Sequence, residues 1–233
     1  AGDRPWALRL GGGLITIVVV GGSALAGWVL EQFGLRSPLG LPFLVIALAS
    51  TLAARSLRSA VDDVLKPLSD SPPELELARK KLGWIVGRNV DGLLAPELLR
   101  AAAETASENA VDGLFAPLFW MLVGAGLWSV GLTSAPGPLA LAWSFKAAST
   151  LDSMLGYRKG RLRWLGTAGA RLDDLMTWLP CRIVMLSLPL GSRPWRRGPE
   201  LVRAAEDEGG QDPAPNAGRS QSIYAHCAGV RLG

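Results

Sequence analysis

Histidine and cysteine are scarce in this chain of 233 residues, and each shortage removes a class of function. A single His, His226, excludes a multi-histidine metal centre and an HExxH protease. The two Cys, Cys181 and Cys227, make neither a disulfide scaffold nor a cysteine zinc site. Charge is sparse as well, at 19% of residues against about 25% in an ordinary soluble domain. With 28 Gly and 16 Pro the chain is no coiled coil, and 49% hydrophobic residues exclude a disordered one. The net charge is only +4, and no basic tract carries interleaved aromatics, so a nucleic-acid partner is excluded. There is no GxxxxGK[ST] loop, no GxGxxG, no GxSxG elbow and no Ser-His-Asp set.

What is present is apolar residue in long runs. Leu10 to Leu30 holds 21 residues without a charge, about 30 Å as a helix and so the depth of a bilayer core. Leu39 to Ala54 is a second uncharged run, and Leu114 to Thr133 a third, with Trp120 and Trp128 inside it. Nine Trp against two Tyr suit the headgroup boundary. The first run, with Arg4 and Arg9 before it and Ala24-Leu25-Ala26 near its end, has the look of a secretory signal. Its length exceeds a signal's apolar region of about 7–15 residues, so a first membrane span is expected. Residues 138–155, interrupted by Lys146, and 178–191, containing Pro180, Arg182 and Pro189, are weaker spans. The fold class expected is therefore all-α, a multi-pass helical membrane protein. Its membrane domain covers 1–191 with a polar helical insert at 55–113, and 192–233 reads as a polar loop or tail.

Arg55, Arg58, Lys66, Arg79, Lys80, Lys81, Arg88 and Arg100 all lie between the second and third runs, whereas the connection from Glu31 to Pro38 holds only Arg36. The positive-inside rule places 55–113 and the amino terminus in the cytoplasm, in a cell (inner) membrane. Within that insert Ser69 to Pro73 breaks the helix, and Glu76 is spaced to pair with Lys80.

Chemistry gathers in four segments. Pro96 suits a helix start and Gly113 a helix end, which sets Glu104, Glu108 and Asp112 at i, i+4 and i+8 on one face, with Asn109 beside them. Such a stripe repels itself unless a cation intervenes, and Mg²⁺ is the natural ion for oxygen ligands. The plainer reading is a solvated face with Arg100 paired to Glu104. The second segment places Lys146, Ser149, Thr150, Ser153 and Tyr157 in a polar stripe at membrane depth, followed by Arg158; the alternative is a Lys that snorkels to the headgroups. The third is Arg171-Leu-Asp173-Asp174 with Pro180-Cys-Arg182, paired acids between arginines that suit a metal–phosphate complex or plain salt bridges. The fourth runs from Asp212 to Arg219 through Asn216 and Gly218, ordinarily a surface turn.

In this order and spacing the segments resemble the CobD/CbiB family of cobalamin biosynthesis, the adenosylcobinamide-phosphate synthases. The stretches that carry the resemblance are ARSLR at 54–58, Ala78-Arg79 with IVGR at 85–88, ETASENAVDGLFAPLFW at 104–120 and KAASTLDSMLGYR at 146–158. GTAGARLDD at 166–174, LPCR at 179–182 and PNAG at 215–218 complete the set. Departures from the family pattern stand at Asn89-Val90, Ser149, Thr177, Ala214 and Ser220-Gln221. The end at Leu232-Gly233, inside a family motif, predicts a truncated or divergent copy.

The resemblance implies a membrane ligase that joins the carboxyl of adenosylcobyric acid to the amine of an aminopropanol phosphate, with ATP as co-substrate. It also implies other membrane enzymes of cobalamin assembly as partners. Fitted to that task, Glu104, Glu108 and Asp112 hold Mg²⁺ against phosphate charge. Arg88, Lys146, Arg158 and Arg182 meet the substrate phosphate, with Tyr157, Asn109 and Asn216 beside them. Asp152, Asp173 or Asp174 takes the proton of the attacking amine. Two other classes use the same residues: a membrane Mg²⁺-dependent prenyl or pyrophosphate transferase, and a non-enzymatic transporter or sensor.

Overall fold

The computed structural model describes residues 4–192 and 195–232, and every regular element among them is helical. In chain order these are α1 (Pro5–Arg36), α2 (Gly40–Ser50), α3 (Ala54–Ser69), α4 (Leu75–Leu82) and α5 (Ala95–Ala110). A π-helical turn at Val111–Phe115 leads into α6 (Ala116–Ser129), followed by α7 (Pro138–Leu155), α8 (Leu162–Leu165) and α9 (Thr167–Gly191). After a short 3₁₀ turn at Trp195–Arg197 come α10 (Gly198–Gly209) and α11 (Pro215–Ala228). Three helical stretches are long and apolar enough to cross a membrane: Pro5–Arg36, Gly40–Ser69 and Ala95–Ser129. The first contains the run Leu10–Leu30, and the other two take in most of the runs Leu39–Ala54 and Leu114–Thr133. The chain divides into two compact units, one of residues up to Leu52 with Leu114–Pro180, the other of Ala53–Gly113 with Cys181 onward.

In the first unit α7 packs along α1 and α6, and α2 packs on α1. The close approach of α1 to α7 requires glycine, because a Cβ on Gly27 would lie 2.7 Å from the Ala140 Cα. The opposite face of α1 leaves Leu10, Leu14, Ile17, Val18, Leu25 and Val29 exposed, an apolar stripe that suits lipid. Pro138 starts α7 in its first turn, where its missing N–H costs no hydrogen bond. The other orphan donors there are met by a side chain from the last turns of α1. Glu31 is fully buried in the last turns of α1. Its carboxylate accepts the N–H of Gly137 at 2.9 Å, of Leu139 at 2.5 Å and of Ala140 at 3.0 Å. The Glu31–Pro38 connection is thus shorter than expected, because α1 continues to Arg36.

In the second unit α3, α4 and α5 enclose a core of Val64, Ala78, Leu82, Leu98, Ala101 and Ala102. Ser69 does end α3, as the breaker predicts. Glu76, however, pairs with Arg79 rather than Lys80, and the same guanidinium donates to the Leu93 carbonyl at 2.8 and 2.9 Å. Arg79 therefore ties α4 to the segment before α5.

Two further expectations fail for identifiable reasons. Gly113 does not end a helix. The path continues through the π turn, where Pro117 supplies no N–H to the Gly113 carbonyl, which accepts the Ala53 N–H at 2.7 Å instead. The tail is not a loop either, since α10 and α11 pack on each other. Leu201, Ala205 and Gly209 form the buried stripe of α10, and a Cβ on Gly209 would meet the Arg219 backbone at 2.5 Å.

Candidate functional site

The residues singled out in the sequence fall into two groups, one in each unit. In the first unit α7 carries Lys146 and Asp152, the segment after it carries Tyr157 and Arg158, and the first half of α9 carries Asp173 and Asp174. Asp152 and Asp174 lie near enough for their charges to interact, and Arg158 acts on Asp174. Partial loss of hydration raises the Asp174 carboxyl above the usual aspartate range, and Arg158 draws it back. A carboxyl so placed keeps its proton to a higher pH than an unperturbed aspartate.

The polar stripe on α7 is partly as expected. Thr150 and Ser153 turn their hydroxyls onto the carbonyls of Lys146 and Ser149, at 2.7 and 2.9 Å. Tyr157 falls outside the stripe, because α7 ends at Leu155, and it is exposed. Lys146 is half-buried, with no carboxylate in ion-pair range among the described residues. Asp173 is half-buried on α9. One turn further on, the buried hydroxyl of Thr177 has no hydrogen-bond partner among the described residues.

Trp120 belongs to this unit and was not anticipated as more than a boundary residue. Its indole N–H donates to the Met176 carbonyl at 3.1 Å. That carbonyl lies four residues before Pro180, which has no N–H to offer it. The end of one motif (104–120) thus meets α9 between two others, 166–174 and 179–182.

In the second unit Glu104 is held by Arg88 at 2.6 Å and by Arg100 at 3.6 Å, so the expected Arg100 pair exists and Arg88 joins it. Glu108 accepts a hydrogen bond from Gln221 on α11 at 3.3 Å. The adjacent Ser220 hydroxyl donates to the Ser107 carbonyl at 2.7 Å, which fixes α11 against α5. Asn109 is exposed and donates to its own helix at the Thr105 carbonyl, 2.9 Å away. Asp112 sits on the π turn, where its charge reaches Cys181. Among the described residues, no three His, Cys, Asp or Glu side chains gather as a metal-holding group.

The second half of α9 brings Cys181 and Arg182 to the first turn of α11. The Arg182 guanidinium donates to the Asn216 side-chain oxygen at 2.8 Å, and the Cys181 thiol donates to the Asn216 main-chain carbonyl at 3.3 Å. Arg219, three residues along α11, is gripped by Glu206 of α10 through two bonds of 2.7 and 2.5 Å. That pairing holds the Glu206 carboxyl below its ordinary range. Nearby, His226 and the Ser222 hydroxyl both lie 3.0 Å from one Glu208 oxygen. Glu206 lies outside the four segments singled out in the sequence, and Arg219, the last residue of the fourth, is given no role there.

Comparison with known proteins decides which family supplies this combination of motifs. A family model described as CobD/Cbib protein matches residues 2–233. The chain belongs to the CobD/CbiB family. Among its relatives, the cobalamin biosynthesis protein CobD of Synechocystis sp. is 39% identical over 232 residues, 99% of this chain and 63% of that protein. The cobalamin biosynthesis protein CbiB of Salmonella arizonae is 36% identical over 230 residues, 97% of this chain and 67% of that one. The CobD of Klebsiella pneumoniae is 36% identical with the same coverage. The chain thus spans about two thirds of the length of these CobD/CbiB proteins. No solved structure matches it.

Proposed function

We propose that this chain acts in cobalamin biosynthesis as a membrane enzyme. Its reaction is ATP-dependent formation of an amide between the carboxyl of adenosylcobyric acid and the amine of an aminopropanol phosphate, giving adenosylcobinamide phosphate. The observation that carries this reading is membership of the CobD/CbiB family across residues 2–233. The two charged groups supply residues of the right chemistry. An amine attacks a carboxyl only after losing a proton, and Asp174, with Asp152 beside it, is the base this reading assigns, Asp173 being next to it on α9. Lys146, Tyr157 and Arg158 in the first unit, with Arg88, Asn109, Arg182 and Asn216 in the second, are the residues proposed to bind substrate and phosphate.

Mg²⁺ enters this proposal as the companion of ATP, since it keeps several waters and takes only one or two carboxylates beside phosphate oxygens. Glu104, Glu108 and Asp112 are the candidates, Glu104 being the one already engaged by two arginines. When bound, the ion offsets phosphate charge. Other membrane-bound enzymes of cobalamin assembly are the proposed partners, and an inner membrane the proposed location.

Membranes containing the chain, incubated with adenosylcobyric acid, ATP, Mg²⁺ and aminopropanol phosphate, are expected to yield a corrinoid amide by mass spectrometry. Ethanolamine phosphate in parallel reports the amine preference. No amide from either amine overturns the reading, and a prenylated product or ion flux without product would replace it.

A further inference from the structure

We propose that the amino-terminal end of α1 and the segment joining α7 to α9 bind the headgroup of an anionic phospholipid, with Arg9 and Arg163 as its paired cations. This goes beyond the proposed reaction and does not rest on it. Residues 4–30 and 153–172 contain no Asp or Glu, yet they carry seven Arg or Lys. The fold draws the two stretches to one end of the first unit. Near its start α7 meets α1 at Gly27 and Ala140. At the other end α8 lies on α1, so closely that a Cβ on Gly12 would collide with the Leu165 carbonyl. The segment 156–166 therefore stands beside the amino terminus of α1. With 32 residues α1 is about 48 Å long, so this end and the Arg36 end face opposite membrane surfaces.

Trp164 gathers the pair. The Arg9 guanidinium lies 4.5 Å from the centre of its ring and that of Arg163 lies 5.0 Å from it. An indole attracts a cation through its π electrons, so it directs both arginines without neutralising either. Both are exposed, and neither has a carboxylate in ion-pair range among the described residues. Two like charges on one ring repel, and an anion in front of them offsets that repulsion. Arg158 acts on Asp174 and is not needed for this pair. Next to the cations the surface changes character. Trp6, three residues before Arg9 and so its neighbour on the helix, is exposed, and Leu10, Leu14 and Ile17 continue an exposed apolar stripe along α1. Tryptophan settles at headgroup level, and an apolar stripe beyond it meets acyl chain. Cation, indole and stripe thus match in order the phosphate, the boundary and the tails of a phospholipid, whereas a free phosphate would use the cations alone. The cytoplasmic leaflet carries the anionic lipids, and the positive-inside rule turns this end of α1 toward it.

The full chain, purified in detergent and stripped of lipid, is titrated with phosphatidylglycerol and with phosphatidylcholine of identical acyl chains, and bound lipid is counted by native mass spectrometry. Phosphatidylglycerol is expected to bind at least tenfold more tightly. Arg9→Gln and Arg163→Gln should each weaken it about fivefold, the share of one cation near an anionic membrane surface, and leave phosphatidylcholine as it was. Arg36→Gln removes an exposed arginine from the opposite end of the same helix and should change neither lipid. Equal affinity of the wild type for the two lipids overturns the proposal without recourse to any variant. Wild-type preference in both Arg9→Gln and Arg163→Gln also overturns it. So does a loss in Arg36→Gln as large as that in Arg9→Gln, which marks a diffuse effect of net charge. Displacement of phosphatidylglycerol by millimolar inorganic phosphate assigns the pair to a soluble phosphate and overturns the lipid.

Discussion

At the scale of single residues, the polar contacts answer vacancies left by proline and by burial. Trp120 supplies the N–H that Pro180 cannot give to Met176, and Arg79 binds the Leu93 carbonyl. Neither was legible in the sequence, because each joins positions that no periodicity relates. The Arg100–Glu104 pair was legible, since a spacing of four brings the two side chains together on any helix. The Glu206–Arg219 pair gives a pH dependence of definite sign. The folded Glu206 carboxyl titrates below its unfolded value because Arg219 binds the charged form. The stabilisation is therefore complete above the ordinary glutamate range and disappears as pH falls through the lowered folded value. Glu206 is about half exposed, at 48%, so solvent screening limits the effect to at most about 1 kcal/mol. Thermal unfolding of Glu206→Gln against the wild type should show a small deficit at pH 7 that shrinks as pH falls below the ordinary glutamate range. A deficit that does not shrink on acidification would contradict the assignment.

At the scale of elements, apolar periodicity served well and composition served poorly. Residues 138–155 form α7 with the expected bounds even though Lys146 interrupts the run, because Pro138 marks the start and Gly156 follows the end. The Gly- and Pro-rich composition after 192 predicts a loop. Their Pro199 and Pro215 stand in the first turns of α10 and α11, where proline favours a helix. The π turn was illegible, since its cause, the proline at 117, also reads as an ordinary helix start. Contact between α1 and α7 depends on the bare Gly27 backbone. Gly27→Val should destabilise the fold by roughly 1–3 kcal/mol, the range for overpacking. Gly21→Val, on the open face of the same helix, should be close to neutral. Reversible detergent unfolding of both variants measures the difference, and equal effects would show that α1 and α7 do not meet through Gly27.

At the scale of the whole molecule, three long apolar helical stretches were plain in the sequence because charge-free runs of bilayer length have few other uses. The membership of the two charged groups was not, since residues 146 and 182 lie in different compact units while 88 and 216 share one. The excess of Lys and Arg between the second and third apolar runs supports a cytoplasmic insert. Ser71→Cys, in the exposed bend before α4, should react with an impermeant maleimide in inverted vesicles and be protected in spheroplasts; the opposite pattern reverses the topology. The buried Glu31 carries a consequence for biogenesis. Its carboxylate is made early, whereas the main-chain donors that satisfy it begin 106 residues later at Gly137. At translation rates of about 5–20 residues per second, α1 leaves the ribosome roughly 5–20 s before its partner exists. Over that interval the first helix carries an acid whose three main-chain partners have not yet been made, so the last turns of α1 reach their final packing only once α7 has followed.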